Sequence, residues 1–478
     1  MRPTRREQDA PRPTPEEHAR VRRELEESER ERERLQRRIE RLEKQNTRLK
    51  RELDAARRAG YRQAAPFAKT VTREPKRSGR RAGAQYGQPA RRCRPTRVDV
   101  RHDVPLPASC PDCGGRVRST GMATQFQEEL PVPRVLVREF RVALGACQDC
   151  GQRVRGRHRL QTSDAFGAAA VQLGPALVAS AVILNKQMGL SFGKIATLLR
   201  QQYDIRVSSS GLVRAVHRAA RRAELTYSDL RRQLRNSPVV TPDETGWKVG
   251  GHLQWLWAGA SEKTTVYAIQ PGRGYDEAAH LLGPDFDGVL IRDGWAPYRR
   301  FTRATHQTCL AHLLRRGRTL CRDHPRSRIA ADIHALLKQA LRLRDDARAG
   351  ELSRDDLGEA LETLATRLAR RLLHPGPLAD VQCFAKHLTT EWKALFTFLC
   401  NPAVDATNWR AEQAIRPAVV TRKVCGGNRS WRGAATQQTL ASVIRTACQR
   451  QRNPHTVIVG LLRSRSPTVA PELQRPAR

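Results

Sequence analysis

Two stretches of the sequence decide the fold class: SPVVTPDETGW at residues 237–247 and DGVLIRDGW at residues 287–295. Each is a short apolar run that reaches acidic residues, as strands do where they leave a sheet. The first predicts a short strand ending at Asp243, and the second predicts a buried strand ending at Asp293. Side by side at one sheet edge, the two carboxylates could share a divalent cation, although an aspartate at a strand end is also ordinary turn chemistry.

The segment between these stretches predicts the rest of a sheet. His252–Ala260 and Thr264–Gln270 alternate as strands do, and with the first strand they form an antiparallel meander. Tyr275–Leu282 then reads as a helix that leads into the buried strand.

A third acidic residue lies far downstream. After a helical stretch at about residues 327–400, a further helix carries Asn408 and Glu412 four residues apart, and therefore on one face. Three carboxylates in a basic surround suit a site that holds two metal ions against a DNA phosphate. Glu244 competes with Asp243 as a ligand, but adjacent residues of a strand point to opposite faces, so we expect only one of them to face the site.

Heptad periodicity marks residues 16–58 as a coiled coil. Leu42 and Leu49 fall at d positions, with Ile39 and a lone Asn46 at a positions. This pattern favours a parallel homodimer whose register Asn46 sets; a solvated single helix is the alternative. Residues 59–102 then lose all periodicity and predict a flexible basic linker, in which KRSGRR at 76–81 suits phosphate contact more than a minor-groove arm.

Two C-x2-C pairs follow the linker and predict a zinc-ribbon-like domain at residues 103–158. We expect four thiolates to form one structural zinc site, with a strand, a turn and a strand at residues 125–147 between the pairs. Disulfides are the alternative, which an intracellular chain disfavours. The four predicted ligands are Cys110, Cys113, Cys147 and Cys150.

Residues 160–236 are predicted to be helical, with helix-turn-helix spacing at residues 190–225. DNA contact by this pair of helices and a plain structural hairpin both remain open. The apolar stretch at 165–184 is long enough to suggest a membrane span, but Gly174-Pro175 interrupts it, so we expect a buried helix starting near Pro175.

The charge balance favours a nucleic-acid partner. Lys and Arg number 87 and Asp and Glu 48, for a net charge of +39. Such a chain binds polyanions unless something opposes it, whereas an acidic small substrate does not require this much charge and a membrane surface would also require an apolar anchor. Residues 1–24 hold no apolar run, so we expect no signal peptide, no membrane partner and a cytoplasmic location.

Four motifs, in this order and spacing, resemble the IS66 family of bacterial DDE transposases. The likeness extends over roughly residues 20–460 and includes the heptads, the basic linker and the paired cysteines. The motifs are Asp243-Glu-Thr, Asp293-Gly-Trp-x-x-Tyr298, Cys309-Leu-Ala-His312-Leu-Leu-Arg315, and Asn408-x-x-x-Glu412-x-x-Ile-Arg416-Pro417 followed by Arg422-Lys423. Trp295 stands where the family commonly has tyrosine, and the segment after Lys423 is richer in glycine than the family pattern.

The resemblance implies a multidomain α+β protein whose RNase H-like α/β catalytic core spans residues 237–326 and 404–465. An all-helical insertion at 327–403 separates the two parts, and a tail follows at 466–478. The coiled coil, the zinc ribbon and the helical DNA-binding region precede this core.

The same resemblance implies the activity. Asp243, Asp293 and Glu412 become a catalytic triad that binds two Mg2+ ions, with Mn2+ as a possible substitute, and catalyses strand cleavage and strand transfer at terminal inverted repeats. The implied partners are double-stranded DNA of the element ends and target, a second copy of the chain, and accessory proteins of the same element, in a bacterial, nucleoid-associated setting. Arg416, Arg422 and Lys423 are the residues we expect at the DNA backbone. Cys309 and His312 are interpreted as packing or supporting residues near the site.

Two other functions remain as alternatives. One is a catalytically silent DNA-binding protein derived from a transposase, which the presence of all three acids disfavours. The other is a structure-selective nuclease that uses the same metal chemistry.

Overall fold

The computed structural model describes residues 15–60, 94–130, 135–166, 171–464 and 466–474. Most of the predicted basic linker, including residues 76–81, lies outside the described residues. The described residues form two compact units: residues 94–130, 135–161 and 193–209 belong to one, and the remaining described residues belong to the other. Each unit is described by itself.

A long N-terminal helix, α1 (Pro15–Gly60), contains the heptads. Pairs such as Arg48 Nε and Glu52 Oε1, 2.8 Å apart, lie one turn from each other and stabilise the exposed helix surface. The apolar seam is exposed along the single chain: Leu35, Ile39, Leu42 and Leu49 each keep about half of their surface in contact with solvent.

The cysteine-rich region differs from the predicted strand–turn–strand. Among its described residues the strands are β1 (Leu144–Ala146) and β2 (Arg153–Arg155), an antiparallel pair that flanks the second cysteine turn. At residues 125–130 and 135–143, the described parts of that span, the expected strands are not formed. Leu136 and Val137 are 69% and 85% exposed, so their apolar alternation has no second layer to pack against, and the prediction from alternation was wrong here.

Four helices follow, as expected: α2 (Pro175–Lys186), α3 (Phe192–Tyr203), α4 (Ser209–Arg222) and α5 (Glu224–Arg235). Pro175 begins α2, where its missing N–H costs no hydrogen bond. Val178 and Val182 are buried in the core, so the apolar stretch is a short packed helix. Within the described ranges, no helix has the length and apolar character needed to cross a membrane.

The central sheet has five strands in the order β5-β4-β3-β6-β7. Its members are β3 (Val239–Val249), β4 (His252–Ala260), β5 (Thr265–Gln270), β6 (Val289–Arg292) and β7 (Thr305–Thr308), with α6 (Tyr275–Leu282) between β5 and β6. The first three strands form the predicted antiparallel meander, which is confirmed. β6 then pairs in parallel with the start of β3, and β7 pairs in parallel with β6.

β3 is longer than the sequence analysis predicted, so Asp243 lies inside the strand and not at its end. The ladder to β4 continues to Val249 opposite His252, because Gly250 and Gly251 adopt φ of +61° and +85° and allow a two-residue hairpin turn. Trp247, which is 1% exposed, packs into the core and stabilises the extension.

The remaining helices surround the sheet. Residues 327–403, predicted as an all-helical insertion, are mostly helical, and their apolar core, which includes Ile333 and Phe384, extends to Ile291 on β6. The helices are α7 (Leu310–Asp323), α8 (Arg328–Ala349), α9 (Arg354–Leu373), α10 (Ala379–Thr390), α11 (Thr397–Cys400), α12 (Trp409–Cys425), α13 (Trp431–Gln449), α14 (Pro454–Arg463) and α15 (Pro471–Gln474).

Helix α13 covers the outer edge of the sheet. Gln438, Ser442 and Thr446 are spaced four residues apart, and their side-chain oxygens accept hydrogen bonds from the backbone N–H groups of Ile269, Tyr267 and Thr265 on β5. The edge that would otherwise be open to another strand is thereby satisfied within the chain. The C-terminal segment also packs here: Leu473 is 3% exposed in the main core, so this part of the predicted tail belongs to the folded domain.

Candidate active site

The candidate site lies where β3, the end of β6 and the start of α12 meet. Asp243 is half-buried within β3, and its Oδ1 accepts a hydrogen bond of 2.9 Å from the backbone N–H of Glu244. Asp293 directly follows β6, where its Oδ1 accepts a 2.9 Å hydrogen bond from the N–H of Trp295. Both acids therefore have backbone partners that restrict their side-chain orientation.

Glu412 belongs to the first turn of α12, the helix that packs on β3 and β4. Its side chain is 51% exposed, and its Oε1 lies 4.0 Å from Nε2 of His312 on α7. A carboxylate at this end of a helix also interacts favourably with the helix dipole. Asn408, predicted to share a face with Glu412, occupies the N-cap position without a side-chain capping hydrogen bond, and it is buried.

The pKa of Asp243 connects the three acids electrostatically. The pKa of Asp243 is raised to about 7. Burial is the largest cause, the charge of the neighbouring Glu244 carboxylate is the second, and the charges of Asp293 and Glu412 contribute less. Asp293 and Glu412 therefore lie near enough to Asp243 to act on its pKa through space. The side chains do not converge further: in the described part of the chain, no group of three His, Cys, Asp or Glu residues is close enough to hold a metal ion.

The donor chemistry of these three acids fits a hard divalent cation. Carboxylate oxygens are the ligands that Mg2+ prefers, and crowded carboxylates repel one another unless a positive charge lies between them. Burial is the largest cause of the raised pKa of Asp243, followed by repulsion from Glu244 and smaller repulsions from Asp293 and Glu412. Asp243, Asp293 and Glu412 are accordingly the residues that would hold such an ion.

Glu244 has a different position from the one considered in the sequence analysis. Its Oε2 accepts a 2.6 Å hydrogen bond from the hydroxyl of Tyr298, and its Oε1 accepts one of 2.8 Å from Nε of Arg273. The Glu244 side chain is 1% exposed. Both carboxylate oxygens of Glu244 are thus engaged in buried hydrogen bonds to Arg273 and Tyr298.

Arg273 is a residue that sequence reasoning missed. Its guanidinium lies over the rings of Trp295, at 4.1 Å, and Trp255, at 4.9 Å, and the indole N–H of Trp295 donates to the Arg273 carbonyl at 3.3 Å. Arg273 therefore links Glu244 on β3 to the loop that carries Asp293. The Asp293-Gly-Trp motif indicated an aromatic residue near the site, but no local signal pointed to its arginine partner.

The Cys309-x-x-His312 pair lies next to the start of α12. The thiol sulfur of Cys309 accepts a hydrogen bond of 3.4 Å from the backbone N–H of Asn408, and the cysteine is fully buried. Nδ1 of His312 and Oδ1 of Asn408 are also buried, and neither atom has a hydrogen-bond partner among the described residues. These residues contact the turn that presents Glu412, as the interpretation of them as supporting residues requires.

The basic residues predicted at the DNA backbone have unlike environments. Arg416 and Lys423 are exposed on α12. Arg422 is half-buried, and its guanidinium donates to the Thr245 hydroxyl at 3.1 Å and to the Gly246 carbonyl on β3. Arg422 thus fastens α12 to the strand that carries Asp243.

The two cysteine pairs each form a tight turn. The N–H of Cys110 donates to the Gly115 carbonyl, and that of Cys147 donates to the Gln152 carbonyl, at 2.9 and 2.8 Å. Hydrogen bonds from backbone N–H groups of the turn, chiefly the N–H of Cys113, lower the pKa of the Cys110 thiol. In the second turn, the backbone N–H of Cys150 has the same effect on the pKa of the Cys147 thiol. The thiols are free, and the two turns do not converge into a four-ligand cluster.

Comparison with known proteins agrees with the motifs. The model of the family described as "Transposase IS66 family" matches residues 170–436, more than half of the chain. A relative in Sinorhizobium fredii (strain NBRC 101917 / NGR234), described as "Uncharacterized protein y4qI", is 28% identical over 38% of this chain and 39% of its own length. The chain thus aligns with about two-fifths of that relative.

Proposed function

Since the chain belongs to the IS66 family of transposases, we propose that it is a DDE transposase with an RNase H-like core. In this proposal it cleaves and rejoins DNA strands at the terminal inverted repeats of an insertion sequence. The observation that carries the proposal is the placement of the three acids: Asp243 lies on β3, Asp293 directly follows the neighbouring strand β6, and Glu412 lies in the first turn of α12, which packs on β3. Such a placement is expected where a site is built for divalent cations.

The topology supports the RNase H-like part of the proposal. An antiparallel meander is followed by two parallel strands on the far side of its first strand, and the helical insertion enters before the helix that carries Glu412. Asp243 and Asp293 are thereby on neighbouring strands of the sheet. The third acid, Glu412, comes from the helix that packs over them.

The proposed chemistry assigns a role to each acid. Asp243, Asp293 and Glu412 would hold the Mg2+ ions, for which Mn2+ could substitute. When bound, these ions activate the attacking oxygen and stabilise the leaving oxygen of a phosphodiester. Water breaks the first phosphodiester and leaves a free 3′-hydroxyl, which then attacks a target phosphorus and displaces its 3′-oxygen. Arg416 and Lys423, exposed on α12, would hold the DNA backbone nearby.

Three further parts of the proposal concern the N-terminal half. The exposed seam of α1 supports a parallel coiled-coil homodimer, and the lowered thiol pKa values of Cys110 and Cys147 support a structural Zn2+ site completed by Cys113 and Cys150. The helices α3 and α4 have the sequence spacing of a helix-turn-helix and would contact DNA. In this proposal, accessory proteins of the same element are further partners of the assembly.

The proposal is tested by incubating the full chain with the DNA that flanks its gene, in the presence of Mg2+, and mapping strand nicks. We expect nicks at the element ends with the native chain and none with Asp293→Asn. If the native chain binds these ends with Mg2+ present and never nicks them, it is the catalytically silent DNA-binding protein instead. Nicking at branched DNA of any sequence would assign the nuclease alternative.

A further inference from the structure

A fully buried carboxylate of the helical insertion lies next to the candidate site. Glu391, at the C-terminal end of α10, is 1% exposed. Its Oε1 accepts a hydrogen bond of 2.7 Å from Arg299, while its Oε2 accepts bonds of 2.7 Å from Arg292 and from the Thr308 hydroxyl. A single acid of the insertion thus joins β6, β7 and the turn that follows β6.

Both arginines also hold the loop that carries Asp293. The guanidinium of Arg292 donates to the carbonyl of Asp293 at 2.9 Å, and that of Arg299 donates to the carbonyl of Gly294 at 3.5 Å. The two consecutive carbonyls after β6 are therefore oriented by two cations, and Glu391 orients both cations.

The insertion also touches this loop directly. A Cβ atom placed on Gly294 would lie 2.6 Å from Cε1 of His387, one helical turn before Glu391 on α10. A side chain at this position would collide with the imidazole ring of His387 unless that ring moved, so the loop lies in close contact with a side chain of α10.

The buried Glu391 carboxylate is paired with the guanidinium groups of Arg292 and Arg299. A carboxylate buried alone would be costly, but paired guanidinium groups and hydrogen bonds compensate for its desolvation. Burial acts to raise the pKa of Glu391, and the hydrogen bond and charge of Arg292 outweigh it, so the net pKa of this acid is lowered. Glu391 therefore remains ionised, and it neutralises part of the arginine charge that is buried beside Asp293.

We infer that Glu391 is a positioning residue, through which the helical insertion fixes the orientation of Asp293 for metal binding. The inference rests on the proposed function of Asp293 as a metal ligand. Glu391 itself acts through Arg292 and Arg299 and does not touch the metal or the DNA. The helical insertion accordingly does more than separate the two parts of the core: it sets the geometry of one catalytic acid.

The test uses the full chain with Glu391→Gln, which keeps the size of the side chain and removes its charge. Glu362→Gln is the matched control, because Glu362 is an exposed acid of the same insertion. Mn2+ binding is measured by electron paramagnetic resonance without DNA, and amide hydrogen exchange is measured over residues 289–300. Affinity for the element ends and thermal unfolding are recorded for every variant.

We expect Glu391→Gln to weaken Mn2+ binding at the site by about tenfold, as changes beside a metal ligand commonly do. Exchange of the Trp295 amide should become faster, since its acceptor is the Asp293 carboxylate. Affinity for DNA should remain as in Glu362→Gln. A folded Glu391→Gln protein with unchanged Mn2+ binding and unchanged exchange at Trp295 overturns the inference.

A second variant covers the case in which Glu391→Gln does not fold. Arg299→Gln removes only the bond to the Gly294 carbonyl and one of the partners of Glu391, and the Arg299 side chain is 37% exposed, so the core is less disturbed. We expect Arg299→Gln to weaken Mn2+ binding and to speed exchange of the Trp295 amide, each by less than Glu391→Gln does. A folded Arg299→Gln protein that shows neither change counts against the inference. A native chain that binds Mn2+ but never nicks DNA contradicts the proposed function alone, because the Mn2+ and exchange readouts do not require cleavage.

Discussion

The hydroxyl of Tyr298 donates a hydrogen bond of 2.6 Å to the carboxylate of Glu244, and both side chains are buried. Tyr298 belongs to the short turn of 3-10 helix after β6, whereas Glu244 belongs to β3. This bond joins the two segments that carry Asp293 and Asp243. Burial and the nearby Glu244 charge both raise the pKa of Tyr298, so its proton remains in the bond at neutral pH.

Removal of that hydroxyl should destabilise the core. Tyr298→Phe leaves a buried Glu244 oxygen without its donor, and we expect the free energy of unfolding to fall by about 1–3 kcal/mol. Urea denaturation measures the change, with Tyr203→Phe at a partly exposed site on α3 as the control. Equal stability of the two variants would mean that the bond contributes nothing.

The stability of the chain should depend on pH through Lys186. Its ammonium donates to Gln437 at 2.9 Å, and burial lowers the pKa of Lys186 to about 8 from an ordinary 10.5. Between these two pH values the unfolded chain holds more protons on this group, so its contribution to the free energy of unfolding rises with pH. The burial penalty is fully present below pH 8.

Lys186→Met should remove this rise, which amounts to at most about 3 kcal/mol between pH 7.5 and 10.5. Chemical denaturation at several pH values measures the difference between the native chain and the variant. Lys338→Met, at an exposed site, should leave the pH dependence as it is. Parallel pH curves for the native chain and Lys186→Met would contradict the burial of this ammonium.

The paired cysteines predict one zinc ion per chain. Elemental analysis of the native chain should find it, and Cys147→Ser should release it and unfold the surrounding residues, because metal binding supplies folding free energy in small domains. Cys400→Ser, which alters an exposed thiol of the helical insertion, should retain the zinc. A native chain without zinc, in which all four predicted ligands react freely with a thiol reagent, rules the site out.

The exposed seam of α1 predicts a parallel dimer. Asn46→Leu should raise the thermal stability of a peptide covering residues 16–58 and permit trimers, because a buried asparagine favours one register at a cost in stability. Thr47→Leu, one position away from the seam, should change neither property. Sedimentation measures the oligomer, and a monomeric native peptide at about 100 μM would exclude the coiled coil, since functional dimers of this length associate well below that concentration.

Local signals predicted much of the fold. The helix Tyr275–Leu282 was predicted with the same bounds that the structure has, because glycine residues border it on both sides and its apolar spacing is helical. The end of β6 before Asp293 was also predicted, since a buried apolar run that stops at Asp-Gly is an unambiguous strand end.

Features that depend on distant partners were not predictable. The extension of β3 beyond Asp243 requires Trp247 to pack into the core and donate its indole N–H to Asn428, a residue far away in sequence. Likewise, nothing around Glu391 indicates that Arg299 and Arg292, 92 and 99 positions earlier in the sequence, will surround it. The strand predicted from apolar alternation near Leu136 was wrong for the opposite reason, since Leu136 remains exposed and has no layer to pack against.

The central claim is that Asp243, Asp293 and Glu412 form a metal-dependent site for DNA strand cleavage. The most direct measurement compares nicking of the element ends in Mg2+ with binding of the same DNA, for the native chain, Glu412→Gln and the exposed control Glu262→Gln. Glu412→Gln should lower nicking by roughly 1,000-fold or more, as loss of one member of a catalytic unit does, while DNA affinity is retained or slightly higher because a negative charge is removed. Full cleavage by a folded Glu412→Gln protein would contradict the account.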